Sequence, residues 1–241
     1  MTSNLVRRFA LALALALLAG CGQDSPDKLV AAAKGFIEKR DYKSAEIQLK
    51  NALQQQPDLA EARYLLGVTQ MEGGDFASAE KEFRRAIDAG YAPATTYPLY
   101  VRALAAQGDP RKVIQTLRDL RPDDAAARAA VRAQLGTAQL ALGQPKEARE
   151  SFAAALADQP GDPLARLGEA RLAAVDGNLD AAMKGVDAVL ARSPGMPEAL
   201  MLKAEIHAAR REPDAAIAAM REAVKAQPLN GAARFSVAMM L

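Results

Sequence analysis

The sequence predicts an all-α solenoid, a stack of antiparallel helix pairs that winds into a superhelix. Similar segments recur along the chain, small residues occupy fixed positions within them, and a turn signal separates the two halves of each segment. The interval is 34 residues, with one step of 35 before Ala129. Such a period is typical of helical repeat proteins, whose units bury their apolar faces only against their neighbours. The segments, called repeats below, begin at Pro26, Ala60, Ala94, Ala129, Pro163, Pro197 and Gly231.

Three positions within each repeat predict how the paired helices touch. Small residues allow two helices to approach closely, and a larger apolar residue fills the space beside them. The eighth position is small at Ala33, Gly67, Gly136, Ala170, Ala204 and Ala238. The twentieth position is small at Ala45, Ala79, Ala148, Ala182 and Ala216. The twenty-fourth position is large and apolar at Leu49, Phe83, Leu117, Phe152, Val186 and Met220.

A turn signal lies at the centre of each repeat. Glycine tolerates the left-handed conformation that ends a helix, and Asp or Asn caps the next helix. The signals are Arg40-Asp41, Gly74-Asp75, Gly108-Asp109, Gly143-Gln144, Gly177-Asn178 and Arg211-Glu212. A proline then prevents the second helix from continuing, at Pro57, Pro160, Pro194 and Pro228.

The third repeat departs most from this pattern. Val101 and Val113 replace the small eighth and twentieth residues, and Tyr91 stands where a proline is usual. Because Pro93 and Pro98 disfavour helix around them, we expect the first helix of this repeat to start late. A local bend of the superhelix should follow.

Composition and charge exclude several classes of protein. Half of the residues are apolar, but only 5% are aromatic and Trp is absent, which suits close helix–helix packing around alanine. The net charge is +2, and loss of a leader carrying Arg7 and Arg8 would balance basic and acidic residues. A neutral chain lacks the basic footprint of nucleic-acid binding. A single cysteine excludes an internal disulfide and a thiolate zinc cluster.

Residues 1–20 are predicted to form a lipoprotein signal peptide. Arg7 and Arg8 precede an apolar stretch over 9–19, which is too short for a membrane-spanning helix of about 20 residues. The run Leu18-Ala19-Gly20-Cys21 resembles the lipobox of bacterial lipoproteins, in which the cysteine thiol accepts a diacylglycerol. The resemblance implies cleavage before Cys21, an acylated N-terminus and a tether over 21–25.

The residue after the cysteine helps to predict whether the lipoprotein is sorted to the inner or the outer membrane. Gly22 stands there instead of Asp, and by resemblance to the sorting rule of such lipoproteins this favours the outer membrane, with the chain on its periplasmic side. The inner membrane remains the alternative. A buried structural cysteine after an ordinary secretory signal is the alternative to lipidation.

The repeats over 26–241 resemble the tetratricopeptide repeat, and the resemblance implies a right-handed superhelix with a concave groove lined by the first helices. Groove positions of that family, carried onto this chain, predict a partner-binding surface for envelope proteins or peptides. Packing against neighbouring helices is the alternative for each residue. The predicted residues are Tyr64, Val68, Met71, Arg102, Thr137, Leu140, Leu167, Arg171, Met201, Glu205, Phe235 and Met239. The Lys/Asn clamp by which some members grip a C-terminal carboxylate is absent.

No motif indicates catalysis. His207 is the only histidine, and its eleventh repeat position is usually one of helix packing. Carboxylates are scattered without a paired acid–base motif, and the glycines form no phosphate-binding loop. The sequence therefore predicts no enzyme, cofactor or metal.

The mature N-terminus also resembles the tetratricopeptide-repeat lipoprotein of PEP-CTERM/exosortase systems. The resembling stretches are residues 45–53 and 58–67, with the lipobox upstream and Ala89-Gly90-Tyr91 in the departing repeat. The resemblance implies a scaffold beside exopolysaccharide production and the sorting of tagged surface proteins. Members are longer, and residues 231–241 hold only one helix of a seventh repeat, so we expect the N-terminal part of a longer protein.

Three other functions stay open at this stage. The chain could be a generic outer-membrane assembly or secretin-pilot lipoprotein, or a catalytic domain could follow downstream. Direct polysaccharide binding is disfavoured, since sugar grooves stack rings on aromatic residues and few are present.

Overall fold

The computed structural model describes residues 24–226, and this part of the chain forms twelve α-helices and no strand. They are α1 (Pro26–Glu38), α2 (Tyr42–Gln55), α3 (Ala60–Glu72), α4 (Phe76–Asp88), α5 (Pro93–Ala105), α6 (Pro110–Leu117), α7 (Ala125–Ala141), α8 (Pro145–Asp158), α9 (Pro163–Val175), α10 (Leu179–Arg192), α11 (Pro197–Ala209) and α12 (Pro213–Ala226). The odd-numbered helices are the first helices of the repeats, and the even-numbered ones are the second helices.

The helices stack in the order of the chain. Each first helix packs against the second helix of its own repeat and against the first helix of the next repeat. Second helices pack on first helices on both sides, so the first helices form one continuous layer. The predicted all-α solenoid of helix pairs is therefore confirmed.

Small residues hold the two helices of a repeat together at the predicted positions. The described residues at the eighth, twentieth and twenty-fourth positions are all buried, including Val101 and Val113 of the third repeat. A Cβ added to Gly67 would lie 2.8 Å from the ring of Phe83, and a Cβ added to Gly136 would lie 2.8 Å from the ring of Phe152. The rings of Phe83 and Phe152 therefore occupy the space that a side chain at Gly67 or Gly136 would need.

Phe152 also joins its repeat to the next one. Its ring lies so close to Gly168 of α9 that a Cβ there would clash with three ring carbons. The Phe152 side chain of the second helix α8 thus packs between two first helices, against Gly136 of α7 and Gly168 of α9. Because interiors are close-packed, this ring sets the spacing between the fourth and fifth repeats.

The central turns take the predicted left-handed conformation, even without glycine. Arg40 and Arg211 have φ angles of 58° and 63°, in the region that glycine normally occupies. A non-glycine residue there costs roughly 1–2 kcal/mol. The caps that follow are made by side chains, as Asp41 and Asp75 accept from the backbone N–H of Ser44 and Ser78. Hydrogen bonds from the side chains of Ser44 and Ser78, and then from their backbone N–H groups, lower the pKa of the Asp41 and Asp75 carboxyls.

The structure corrects the predicted shape of the third repeat. Its first helix does not start late, because α5 begins at Pro93, where the missing N–H of a first-turn proline costs nothing. Pro98 lies inside α5 and does not end it. The irregularity is in the second helix, since α6 has eight residues and stops at Leu117.

The fourth repeat begins earlier in the structure than its repeat start at Ala129 suggests. Helix α7 begins at Ala125, after Asp124, whose side chain accepts from the backbone N–H of Ala127. The short α6 leaves the first helices α5 and α7 packed directly against each other. The predicted bend of the superhelix stays a prediction.

Several sequence predictions lie outside the described residues. These are the signal peptide over 1–20, the lipidated Cys21, the start of the tether, and the seventh repeat from Gly231 with Phe235 and Met239. Within residues 24–226, no helix combines the length and the apolar character needed to cross a membrane.

Two glycine substitutions should change the free energy of unfolding in opposite directions, because Gly168 packs against Phe152 and Gly35 has open space around it. Gly168→Ala should lower the free energy of unfolding by about 1–3 kcal/mol, since the added methyl overpacks the ring. Gly35→Ala, inside α1 with nothing within 4 Å of the new Cβ, should raise it by about 0.5–1 kcal/mol. Urea midpoints of helical circular dichroism measure both, and equal midpoints would contradict this role of Phe152.

Candidate functional site

The layer of first helices presents one long face, called the groove below. The ninth position of each repeat lies on this face and is partly or fully accessible to solvent in every described repeat from the second to the sixth. It is occupied by Val68, Arg102, Thr137, Arg171 and Glu205. Apolar, basic, polar, basic and acidic side chains thus follow one another along the groove, so that neighbouring repeats differ in chemistry.

A cavity of about 430 Å³ opens in the groove across the fourth, fifth and sixth repeats. Its size is within the range of ligand pockets, roughly 300–1,000 Å³. The cavity is lined by Thr137, Leu140, Ala141, Arg171, Ala174, Val175, Leu179, Leu202, Glu205, Ile206 and Ala209. The predicted groove residues Thr137, Leu140, Arg171 and Glu205 are therefore brought together at one place.

The walls of this cavity are mostly apolar, with two charges facing each other. Nη2 of Arg171 lies 4.0 Å from Oε2 of Glu205, at the outer limit of an ion pair. The hydroxyl of Thr137 already donates to the carbonyl oxygen of Ala133 at 3.0 Å. The cavity can therefore take an apolar side chain and one charged group.

Val175 is a cavity residue that the sequence analysis missed. It is 59% exposed, and Ile47, at 58%, is the other large apolar residue that is exposed to this degree within residues 24–226. Val175 is the thirteenth residue of its repeat and the last of α9, and the groove positions carried over from the family stop at the twelfth. The signal in the sequence was a large apolar residue directly before the turn at Gly177.

Leu167 was predicted to face the groove, and this prediction is wrong. Its side chain is only 3% exposed and packs in the core of the fifth and sixth repeats with Ala170 and Leu202. The adjacent Gly168 lies against the ring of Phe152, so residues 167 and 168 both belong to the packed part of α9.

The groove is partly filled in the second and third repeats. The rings of Tyr64 and Tyr91 stack with centroids 4.7 Å apart, and Val68 and Met71 pack half-buried against the core beside them. Burial raises the pKa of the Tyr64 phenol, and the nearby Tyr91 raises it further. Arg102 is exposed on α5, so these repeats present a flatter surface than the cavity.

Met201, a predicted groove residue, and His207, the histidine of the sequence, both make contacts within the sixth repeat. Met201 is half-buried against the core cluster of α11 and α12. Nδ1 of His207 lies 2.6 Å from Oε2 of Glu212, across the turn that joins these helices. His207 therefore links α11 to the turn that follows it, and its predicted role in helix packing stays a prediction.

The different burial of two residues on α9 predicts different effects on stability. Leu167→Ala should lower the free energy of unfolding by about 2–4 kcal/mol, because it leaves a hole in the core. Val175→Ala should change it by less than about 0.5 kcal/mol, because the side chain is mostly in water. Chemical denaturation of the two variants measures both changes. If Leu167→Ala left the free energy of unfolding unchanged, Leu167 would not be a core residue and could face the groove as first predicted.

Comparison with protein families agrees with this geometry. Two models described as tetratricopeptide repeat match the sequence, one over residues 139–206 and the other over 30–93, 186–231 and 201–241. Together these ranges cover more than half of the chain, and they leave out 94–138, where the third repeat departs from the pattern. No curated protein matches the sequence.

Solved structures are similar in fold. PilF of Pseudomonas aeruginosa is 21% identical, with a TM-score of 0.57 over 89% of this chain and 97% of that one. PilW, described as a widely conserved type IV pilus biogenesis factor, is 18% identical, with a TM-score of 0.60 over 90% and 100%. A tetratricopeptide repeat protein of Parabacteroides merdae is 18% identical, with a TM-score of 0.58 over 90% and 98%. Repeat spacing, buried small residues and family models agree, and the chain belongs to the tetratricopeptide-repeat family.

Proposed function

We propose that this chain is a non-catalytic scaffold that binds segments of partner proteins in the groove. The observation that carries the proposal is the cavity between α7, α9 and α11, where apolar side chains remain accessible beside an arginine. Arginine next to accessible apolar surface is enriched where proteins bind one another. A fold made of stacked helix pairs offers such a face over its whole length.

The chemistry of the cavity supports binding more than catalysis. Catalysis needs a nucleophile or an acid–base pair held in reach of a substrate. The cavity holds one guanidinium, one carboxylate and one hydroxyl that is already hydrogen-bonded. The histidine of the chain, His207, lies on α11 but is not part of the cavity lining, and it pairs with Glu212.

The proposed location is the periplasmic side of the outer membrane, with the chain anchored through acylated Cys21. The lipobox-like sequence at 18–21 and the glycine at position 22 support it. One acyl chain gives only reversible membrane binding, so a stable anchor needs several. The first helix begins at Pro26, which would hold the groove close to the membrane surface.

Two envelope systems fit such a scaffold. The resemblance of residues 45–53 and 58–67 to the lipoprotein of PEP-CTERM/exosortase systems favours a role beside exopolysaccharide production and protein sorting. The likeness in fold to PilF and PilW favours an assembly or secretin-pilot role. The genes beside this one and the proteins that it captures distinguish the two systems.

Capture of envelope proteins tests the groove. In crosslinking from envelope extract, the double variant Arg171→Gln, Val175→Ser should recover at least about tenfold less of each specific partner, the loss expected when hot-spot residues are removed. Ile47→Ser is the matched control, because Ile47 is equally exposed but lies on the second helix α2. Equal recovery by the double variant and the control would contradict binding in the cavity.

Fractionation of cells tests the anchor. Cys21→Ser should move the chain from the outer-membrane fraction into the soluble periplasm and abolish incorporation of labelled palmitate, since the acceptor thiol is lost. Ser25→Ala, in the same tether, should change neither. Retention of the Cys21→Ser protein in the membrane would show that another feature anchors it.

A further inference from the structure

Arg171 is the cavity residue whose hydrogen-bonding capacity is least used. Its side chain is 36% exposed, and its Nε atom is buried without an acceptor among the described residues. Within residues 24–226, the one carboxylate within 4.0 Å of the guanidinium is that of Glu205, at 4.0 Å, which exceeds hydrogen-bonding distance. A guanidinium has five N–H donors in a planar fork that matches a carboxylate, so Arg171 is able to accept a second anionic partner.

Glu205 holds Arg171 only weakly. The Glu205 side chain is 56% exposed, so water solvates its carboxylate and little is lost if it turns away. An ion pair this long and this accessible contributes little. An incoming carboxylate that reached the guanidinium at hydrogen-bonding distance would therefore displace Glu205.

The apolar lining of the cavity lies directly beside Arg171. Leu140, Val175 and Ile206 contribute side chains from three successive first helices. Ala174 and Ala209 leave the entrance open, because their side chains are small. A ligand that binds Arg171 would thus also place an apolar side chain between these helices.

We infer that the cavity selects a partner segment in which an apolar side chain stands next to a carboxylate, with Glu205 as the competing internal ligand of Arg171. This inference rests on the proposed binding function and adds the chemistry of the partner. The apolar side chain fills the cavity, and the carboxylate accepts from the fork of Arg171. If lysine replaced the carboxylate of the segment, its ammonium group would lie close to the guanidinium of Arg171 and be repelled. The solvated Glu205 is the one carboxylate of the cavity lining that could offset this repulsion.

Peptide binding to the full chain tests this chemistry. The probes are three fluorescent synthetic peptides with the same two leucines, flanked by glutamates, by glutamines or by lysines. We expect the glutamate peptide to bind about tenfold more tightly than the glutamine peptide, the usual gain from a charge-assisted hydrogen bond. Binding of the lysine peptide as tight as that of the glutamate peptide, or no binding of the glutamate peptide, would overturn the inference.

Three variants assign the preference to Arg171. Arg171→Gln should remove the advantage of the glutamate peptide, and Glu205→Gln should strengthen its binding about threefold by removing the competitor. Arg84→Gln is the matched control, because Arg84 is an exposed arginine on the second helix α4 and lies outside the cavity. Circular dichroism melts check that all variants fold, and a charge preference that survives in Arg171→Gln would overturn the inference.

The outcomes separate this inference from the proposed function. If the double variant loses its envelope partners but the peptides show no charge preference, the groove binds proteins and the acidic specificity is wrong. If capture is unaffected by the double variant, the proposed function fails whatever the peptides show.

Discussion

The contact between a second-helix side chain and the small residues of the first helices determines the rest of this structure. Phe83 lies on Gly67, and Phe152 lies between Gly136 and Gly168 of two successive repeats. These contacts allow no additional methyl group, so the distance between the helices is fixed by the size of one ring. Because the same contact recurs with the period of the sequence, the first helices align in one layer, and the groove is a consequence of that alignment.

The same constraint decides which residues remain available for binding. Positions used for packing, such as Leu167, are covered by the core of the fifth and sixth repeats. Arg171, one turn further along α9, and Val175, two turns further, stay accessible and line the cavity. Packed and accessible positions are therefore separated along one helix, so the accessible residues are able to vary without loss of the fold.

The sequence predicted most of the fold, because its signals are local and repeated. Period, small residues and turn residues each act within one helix pair, and the left-handed Arg40 and Arg211 followed from position alone. The missed features depend on neighbouring repeats. The early start of α7 depends on the loop after the short α6, and its N-terminus carries Arg128, whose guanidinium donates to the carbonyl oxygen of Pro122.

The same contact recurs in two other repeats. Arg63 and Arg166 donate in the same way to the carbonyl oxygens of Pro57 and Pro160, six residues before each arginine. The spacing of proline and arginine thus marks where a first helix begins, and it identifies Ala125 as the start of α7 when the small-residue pattern suggests Ala129. The cavity had no comparable signal, because it is lined by three first helices and depends on how closely they approach. The side chains along the groove could be read from single repeats, but the cavity could be recognised only from the stacked repeats.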